Sequence, residues 1–459
     1  QARKDVIMAT GRSDNPNQVN NVLGFPFIFR GALDVRATAI NEEMKLAAVY
    51  ALADLAKQPV PEEVNVAYGM RNLKYGREFI IPKPMDPRLL VTIAPAVAQA
   101  AMDSGVAKNP ITDFEMYKQE LNQRLGLDNK LITNLIDRAK QNVQRVVFAE
   151  ADNYKVLKAA QIVKDEGIAR PILLGNRTYI KQLIEENKLE LDDVEILNPK
   201  DKQSEELRKE FGEELYKHRQ RKGLTAYETE HKMKDRNYFG SMMVKKGLAD
   251  AFISGITRNY PDTIRPGLQT IGLEKGAKTL VGMYIMITKN GPVFFADTTI
   301  NLSPSAEELV EITILTARAV KRLMITPRIA LLSFSNFGSS TYKEAAVVAE
   351  AVKILHEKHP DLVADGEIQA NFALNPEKLQ EQFGFSKLAN KRPNVLIFPN
   401  LSSGNIAYKI VQEMADVEAI GPILLGMDKP MHILQLGSSV REIVNMVTIA
   451  AVDAQTREE

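Results

Sequence analysis

With 459 residues the chain is too long for one ordinary domain, and at about 150 residues per domain it has room for roughly two to four compact units. Its 59 Lys+Arg against 58 Asp+Glu give a net charge of +1 with no long basic run, which argues against nucleic acid or a membrane surface as the main partner. Cysteine is absent, so disulfides, thiolate nucleophiles and Cys-bound zinc are excluded, and a reducing compartment fits. No apolar run approaches the roughly 20 residues of a membrane helix. QARKDVIMATGR lacks the apolar core of a signal peptide, so a cytoplasmic protein is expected.

In chain order, Asp5 to Thr10 reads as a buried strand and Gly11 to Pro16 as a loop. An interior strand this early suggests a domain that has lost its beginning. Asn41 to Lys57 reads as a helix, with Asn41 as cap, Glu42 and Glu43 in the first turn, and an apolar stripe from Met44 to Leu55. Asp86-Pro87 starts another helix that Pro95 breaks or restarts and Ser104-Gly105 ends. Ile111 to Asn142 reads as a helical connector. From Arg145 onward strands and helices alternate. Val146 to Ala149, Pro171 to Leu174, Ala251 to Ser254, Ile329 to Leu332 and Val395 to Phe398 read as strands. Asn153 to Glu166, Ala306 to Arg322 and Lys343 to His356 read as helices, with Ser303 before Pro304 marking one start. The pattern predicts parallel sheets with helical crossovers.

Asn394 to Ile410 joins a buried strand to a loop that opens a helix. Ser402, Ser403 and Asn405 beside Gly404 could add donors to the free N–H groups of that helix end and hold an anionic ligand; equally, they could simply cap it. The five histidines show no metal-binding spacing. No G-x-G-x-x-G occurs.

Two family resemblances follow from longer motifs. PNQVNNVLGFPFIFRGALDVRATAINEEM, Pro16 to Met44, resembles the end of the nucleotide-binding domain of malic enzymes, especially the hybrid bacterial NADP-dependent type. The resemblance implies that Asn20 and Asn21 lie near malate and the nicotinamide ribose, where neutral amides donate and accept without titrating. In known members the catalytic Tyr and Lys, the acidic ligands of the divalent metal (Mg or Mn) and the dinucleotide fingerprint lie upstream. This chain alone is therefore expected to lack a complete NADP and metal site, and its partners include the missing N-terminal malic enzyme part.

The second resemblance is to phosphotransacetylases. YFGSMMVKKGLADAFISGITRNYPDTIRPGLQ, FADTTINLSP, the Val395 to Asn405 junction and EAIGPILLGMDKP carry it in order. It implies an α/β fold in which the end of a Rossmann-type domain (1–110) is followed by the connector (111–142) and a two-subdomain transferase-like domain (143–459). Subdomain 1 would take about 143–290 plus 436–459, and subdomain 2 about 291–435. Acetyl-CoA is expected between them, near Arg265, Arg219, Gln435, Leu436, Ser402, Ser403, Asn405 and Lys429.

Active phosphotransacetylases read Ser-Arg-Gly-x-Ser-Val-x-Asp before the last helix, with Asp as base. Here Gln435, Leu436 and Glu442 stand at the Ser, Arg and Asp positions. Leu supplies no cation, and loss of one such donor typically costs about 2.7–4 kcal/mol of barrier. The longer Glu442 carboxylate is displaced from the base position. The resemblance implies a domain that binds acetyl-CoA as an allosteric effector and forms a homo-oligomer, a dimer or a higher assembly such as a hexamer. The alternative is an active phosphate acetyltransferase with Glu442 as base.

Overall fold

The computed structural model describes residues 5–12, 15–70, 73–124, 130–415 and 417–458. Two compact units emerge, Gln1–Asn129 and Lys130–Glu459.

The first unit is helical. Glu42–Lys57 begins at Asn41, whose side chain accepts the Met44 N–H at 3.0 Å, and Leu55 and Met44 on its inner face are fully buried. Arg88–Asp103 starts where Asp86 takes the Arg88 N–H at 3.0 Å. The expected break at Pro95 does not occur: the helix runs through it, with Pro95 turned into the core among Ile93, Ala94 and Val97. Burial of that face outweighs the one ladder bond a proline forfeits. The strand expected over Asp5 to Thr10 is also absent. Only Thr10 bridges, to Gln18, and Val6, Ile7 and Met8 are 47%, 53% and 60% exposed. An extended segment becomes a strand only where neighbouring backbone completes its N–H and C=O groups, and no described strand stands beside this one. Instead the buried Asn17 side chain ties the segment down, donating to Met8 O (3.1 Å) and Arg77 O (2.9 Å) and accepting from Ile80 N (2.8 Å).

The stretch read as one connector contributes a helix to each unit. Phe114–Arg124 packs on Arg88–Asp103, and Lys130–Gln141 packs on the last helix, Val440–Glu458.

The second unit holds two sheets. β1 (Gln144–Phe148), β2 (Ala169–Leu174), β3 (Glu195–Leu197) and β4 (Ala251–Ser254) lie parallel, with crossover helices between them. β5 (Val281–Thr288) and β6 (Gly291–Ala296) form an antiparallel hairpin that starts a second sheet. β7 (Ile329–Leu332), β8 (Ala364–Ile368), β9 (Val395–Ile397) and β10 (Glu418–Leu425) join it, β10 antiparallel to β5. β11 (Met431–Ile433) then returns to the first sheet beside β4. The orders are β11-β4-β1-β2-β3 and β10-β5-β6-β9-β7-β8. Ala251 to Ser254 and Ile329 to Leu332 are buried at every residue, as strands covered on both faces must be. Ala306–Arg322 starts at Ser305 in a capping box with Glu308, rather than at Ser303. Three residues from the cap to a carboxylate is the spacing that lets both orphan N–H groups be met. No described helix is long and apolar enough to cross a membrane.

Candidate functional site

The carboxyl ends of the parallel strands carry three buried carboxylates, and each clamps a loop. Glu150, just beyond β1, accepts the N–H groups of Gly255 (2.6 Å), Ile256 (2.8 Å) and Thr257 (3.0 Å), together with the Thr257 hydroxyl. Asp297, just beyond β6, accepts from Gly282 (3.0 Å), Thr299 (2.9 Å) and Asn301 (2.7 Å). Glu367 on β8 accepts from the Ser335 hydroxyl (2.9 Å) and Gly338 N–H (2.6 Å). Charge-assisted bonds of this kind make the loops rigid platforms. Ligands of α/β sheets bind at such strand ends.

At the junction of the two sheets, Gln435 follows β11 and donates its side-chain amide to the Tyr284 hydroxyl on β5. The Tyr284 ring stacks on Tyr408, with centroids 4.0 Å apart and planes 13° apart. Burial, then the neighbouring Tyr408 phenol, pushes the Tyr284 phenol well above its ordinary range, so it stays protonated. Tyr260, at the start of the helix Tyr260–Thr270, is likewise pushed up by burial and then by Asp297. Its hydroxyl is buried without a hydrogen-bond partner. The three tyrosines were not singled out from the sequence. Tyr284 and Tyr408 lie 124 positions apart and meet only when β5 and the helix Leu401–Ala415 pack together.

Glu442, expected as a displaced base, is held in a capping box. Its carboxylate accepts the Ser439 N–H at 2.7 Å, while the Ser439 hydroxyl accepts the Glu442 N–H at 3.2 Å. Ser-x-x-Glu at a helix start is the signature of that motif, and it was legible in Ser439 to Glu442. Leu436 is 63% exposed and offers no polar group.

The other expected site residues divide into engaged and free. Asn405 donates to Thr298 O at 3.1 Å, and the Ser403 hydroxyl donates to Asn400 O at 2.8 Å, so the helix end is tied to its own loops. Gly404 is required there, since a Cβ would stand 2.3 Å from Asp297 O. Ser402 is exposed. Arg219 donates to Leu268 O (2.7 Å) and Gln269 O (3.2 Å), capping the carbonyl end of the helix that bears Arg265. Arg265 itself is 63% exposed, 4.0 Å from Asp262, and Lys429 is exposed. The structure thus brings Gln435 and Glu442 to the tyrosine cluster, and it gives Arg219 a structural partner.

In the first unit Asn20 accepts the Val22 N–H at 3.0 Å, and with Asn21 it edges a groove of about 530 Å³ lined by Leu23, Phe25, Ile28 and Leu52. Apart from the amides of Asn20 and Asn21 that lining is apolar, and it carries no cationic side chain to hold a pyrophosphate. Among the described residues no group of three or more His, Asp or Glu could hold a metal ion.

The model of the phosphate acetyl/butaryl transferase family matches residues 130–451. The chain belongs to that family. Over 332 residues it is 39% identical to a phosphate acetyltransferase of Thermoanaerobacterium thermosaccharolyticum, covering 71% of this chain and 99% of that one. A phosphotransacetylase structure from Streptococcus pyogenes superposes with a TM-score of 0.67 at 35% identity, covering 71% of this chain and 98% of that one. The whole chain is also similar to the NADP-dependent malic enzyme of Haemophilus influenzae, 42% identical over 457 residues. That match covers 99% of this chain but 60% of the enzyme, so the chain spans about three fifths of that relative's length.

Proposed function

We propose that this chain is the C-terminal part of an NADP-dependent malic enzyme, which in its complete form decarboxylates malate oxidatively to pyruvate with NADP and a divalent metal. Its transferase-family domain binds acetyl-CoA as an effector, does not turn it over, and biases the distant malate site. The protein works as a cytoplasmic homo-oligomer. The observation that carries the sensor reading is Glu442: its carboxylate is bonded to the Ser439 N–H, and beside it Leu436 offers no cation. The unpartnered Tyr260 hydroxyl and exposed Arg265 leave donors for a thioester ligand. Ile406, Ile410 and Met414, every fourth residue of Leu401–Ala415 and 56%, 49% and 84% exposed, support self-association.

Acetyl phosphate and coenzyme A, followed for thioester formation, should give no turnover. Acetyl-CoA at 100 times its dissociation constant should stabilise the second unit by about 2.7 kcal/mol. Turnover comparable with a true transferase would replace the sensor by the second reading, an active phosphate acetyltransferase with Glu442 as base, which the retained carboxylate favours. Absence of any acetyl-CoA-dependent thermal shift would leave only a scaffold.

A further inference from the structure

A second cavity, of about 620 Å³, opens over the carboxyl ends of the first sheet. It is lined by Asp152 beyond β1, Gly175 and Asn176 beyond β2, Asn198 and Lys200 beyond β3, and Arg258 beyond β4. The strand order reverses between β1 and β4, which is where open α/β sheets receive ligands. Lys232, Lys234, Asp235, Arg236 and Tyr238 line it too, with His231 and Pro199 filling the rest of the wall.

The charge is unbalanced. Five cations, Lys200, Lys232, Lys234, Arg236 and Arg258, face two carboxylates, Asp152 and Asp235. Those carboxylates are already occupied: Arg236 reaches Asp152 at 2.7 Å, and Arg258 reaches Asp235 at 2.8 Å. The pairs fix both guanidinium groups in place, while Lys200, Lys232 and Lys234 form no ion pair with a described residue; Glu228, one turn before Lys232 and outside the cavity wall, feels the charge of Lys232 but does not reach it. Lys232 lies 5.0 Å from the Tyr238 ring centre, which holds its stem against the wall. A Cβ at Gly175 would come within 3.4 Å of the Arg236 guanidinium, so glycine gives that group room. Two ten-residue helices, Arg177–Glu186 and Arg236–Lys245, begin at the rim and add their positive ends.

We propose that this crevice binds a phosphate-bearing polyanion of nucleotide size, of the diphosphate class. Such a ligand could come from the 3′-phospho-ADP end of a coenzyme A thioester or from a separate phosphorylated metabolite; the shared chemistry is a pair of linked phosphates. The site stands on its own charge and geometry, independently of the acetyl-CoA reading.

Calorimetric titration of the full chain with inorganic pyrophosphate, and with ADP, tests it. Saturable binding is expected, weakening as salt is raised. The Lys200→Ala/Lys232→Ala/Lys234→Ala variant should keep its thermal transition, because Lys200 and Lys234 are exposed and Lys232 is half-exposed, yet lose roughly tenfold or more in affinity. Failure of both ligands to saturate, or unchanged affinity in the variant, overturns the proposal. Displacement of pyrophosphate by acetyl-CoA supports it and assigns the site to the thioester's nucleotide end; simultaneous binding supports it and assigns a separate phosphorylated ligand.

Discussion

The two units differ in how completely they bury their own apolar surface. The second closes around two sheets, and its largest side chains, such as Phe148, Phe252 and Phe294, are almost fully enclosed. The first has a genuine core at Leu55, Leu89 and Ile93, yet leaves Phe25, Leu33, Val49 and Tyr50 62%, 64%, 57% and 66% exposed. Apolar groups gathered on one unit in this way mark a surface meant for a partner, and singly scattered ones would not. The contrast agrees with the proposal that the first unit is the end of a larger nucleotide domain, whereas the second, apart from faces such as that of Ile406, Ile410 and Met414, closes on its own core.

That contrast can be broken or sharpened by experiment. The largest effect is expected from Phe252→Ala, which should cost about 3–5 kcal/mol. Calorimetry should show the transition of the second unit falling while that of the first stays put; a joint fall would mean the units unfold as one. Glu150→Ala, which strands the buried N–H groups of Gly255 and Ile256 and frees the partly buried one of Thr257, should cost about 1–3 kcal/mol and loosen the loop from Gly255 to Thr257, seen as faster amide exchange there.

Acid should act on the second unit next. Burial lowers the His432 pKa to about 4 from its ordinary 6.5. The folded state therefore stays neutral while the unfolded chain takes up a proton, so stability present above pH 6.5 is lost as pH falls toward 4. Between pH 7.5 and 5.5 the loss from this residue should be roughly 1.3 kcal/mol in denaturant titrations. His432→Gln should flatten that slope. Ser439→Ala, which removes the cap of the last helix, should cost about 1 kcal/mol. At the small end, Phe25→Ser on the open face of the first unit should change its stability by no more than about 0.5 kcal/mol. A clear loss would show that the face is already covered.

Five strands, at Val146, Pro171, Ala251, Ile329 and Val395, were legible because parallel strands buried on both faces read as unbroken apolar runs, whereas the short β3 and the acidic β8 (Ala364–Ile368) were not read. β5, β6 and β10 were not read as strands, although Asn290-Gly291 between two apolar runs is a hairpin signal. Asn41 and Asp86 announced their helix starts through local chemistry, whereas the first-unit strand failed because pairing is not a local property. Of the site, Gln435 and Glu442 could be placed by motif. The engagement of Arg219 with Leu268 and Gln269, and the meeting of Tyr284 with Tyr408, depend on packing between distant segments and leave no trace in spacing.

Because the second sheet is threaded between β4 and β11, its lobe is joined to the first by two strands of chain, one leading into β5 and one running from Gly426 to Pro430. The two lobes are nevertheless not free bodies: Val146 and Ile253 of the first sheet and Met283 and Ile397 of the second belong to one continuous buried core, and the last helix packs on β10 as well as on β1 and β4. Parting Gln435 from Tyr284 by moving a whole lobe would therefore expose apolar surface that both lobes now share.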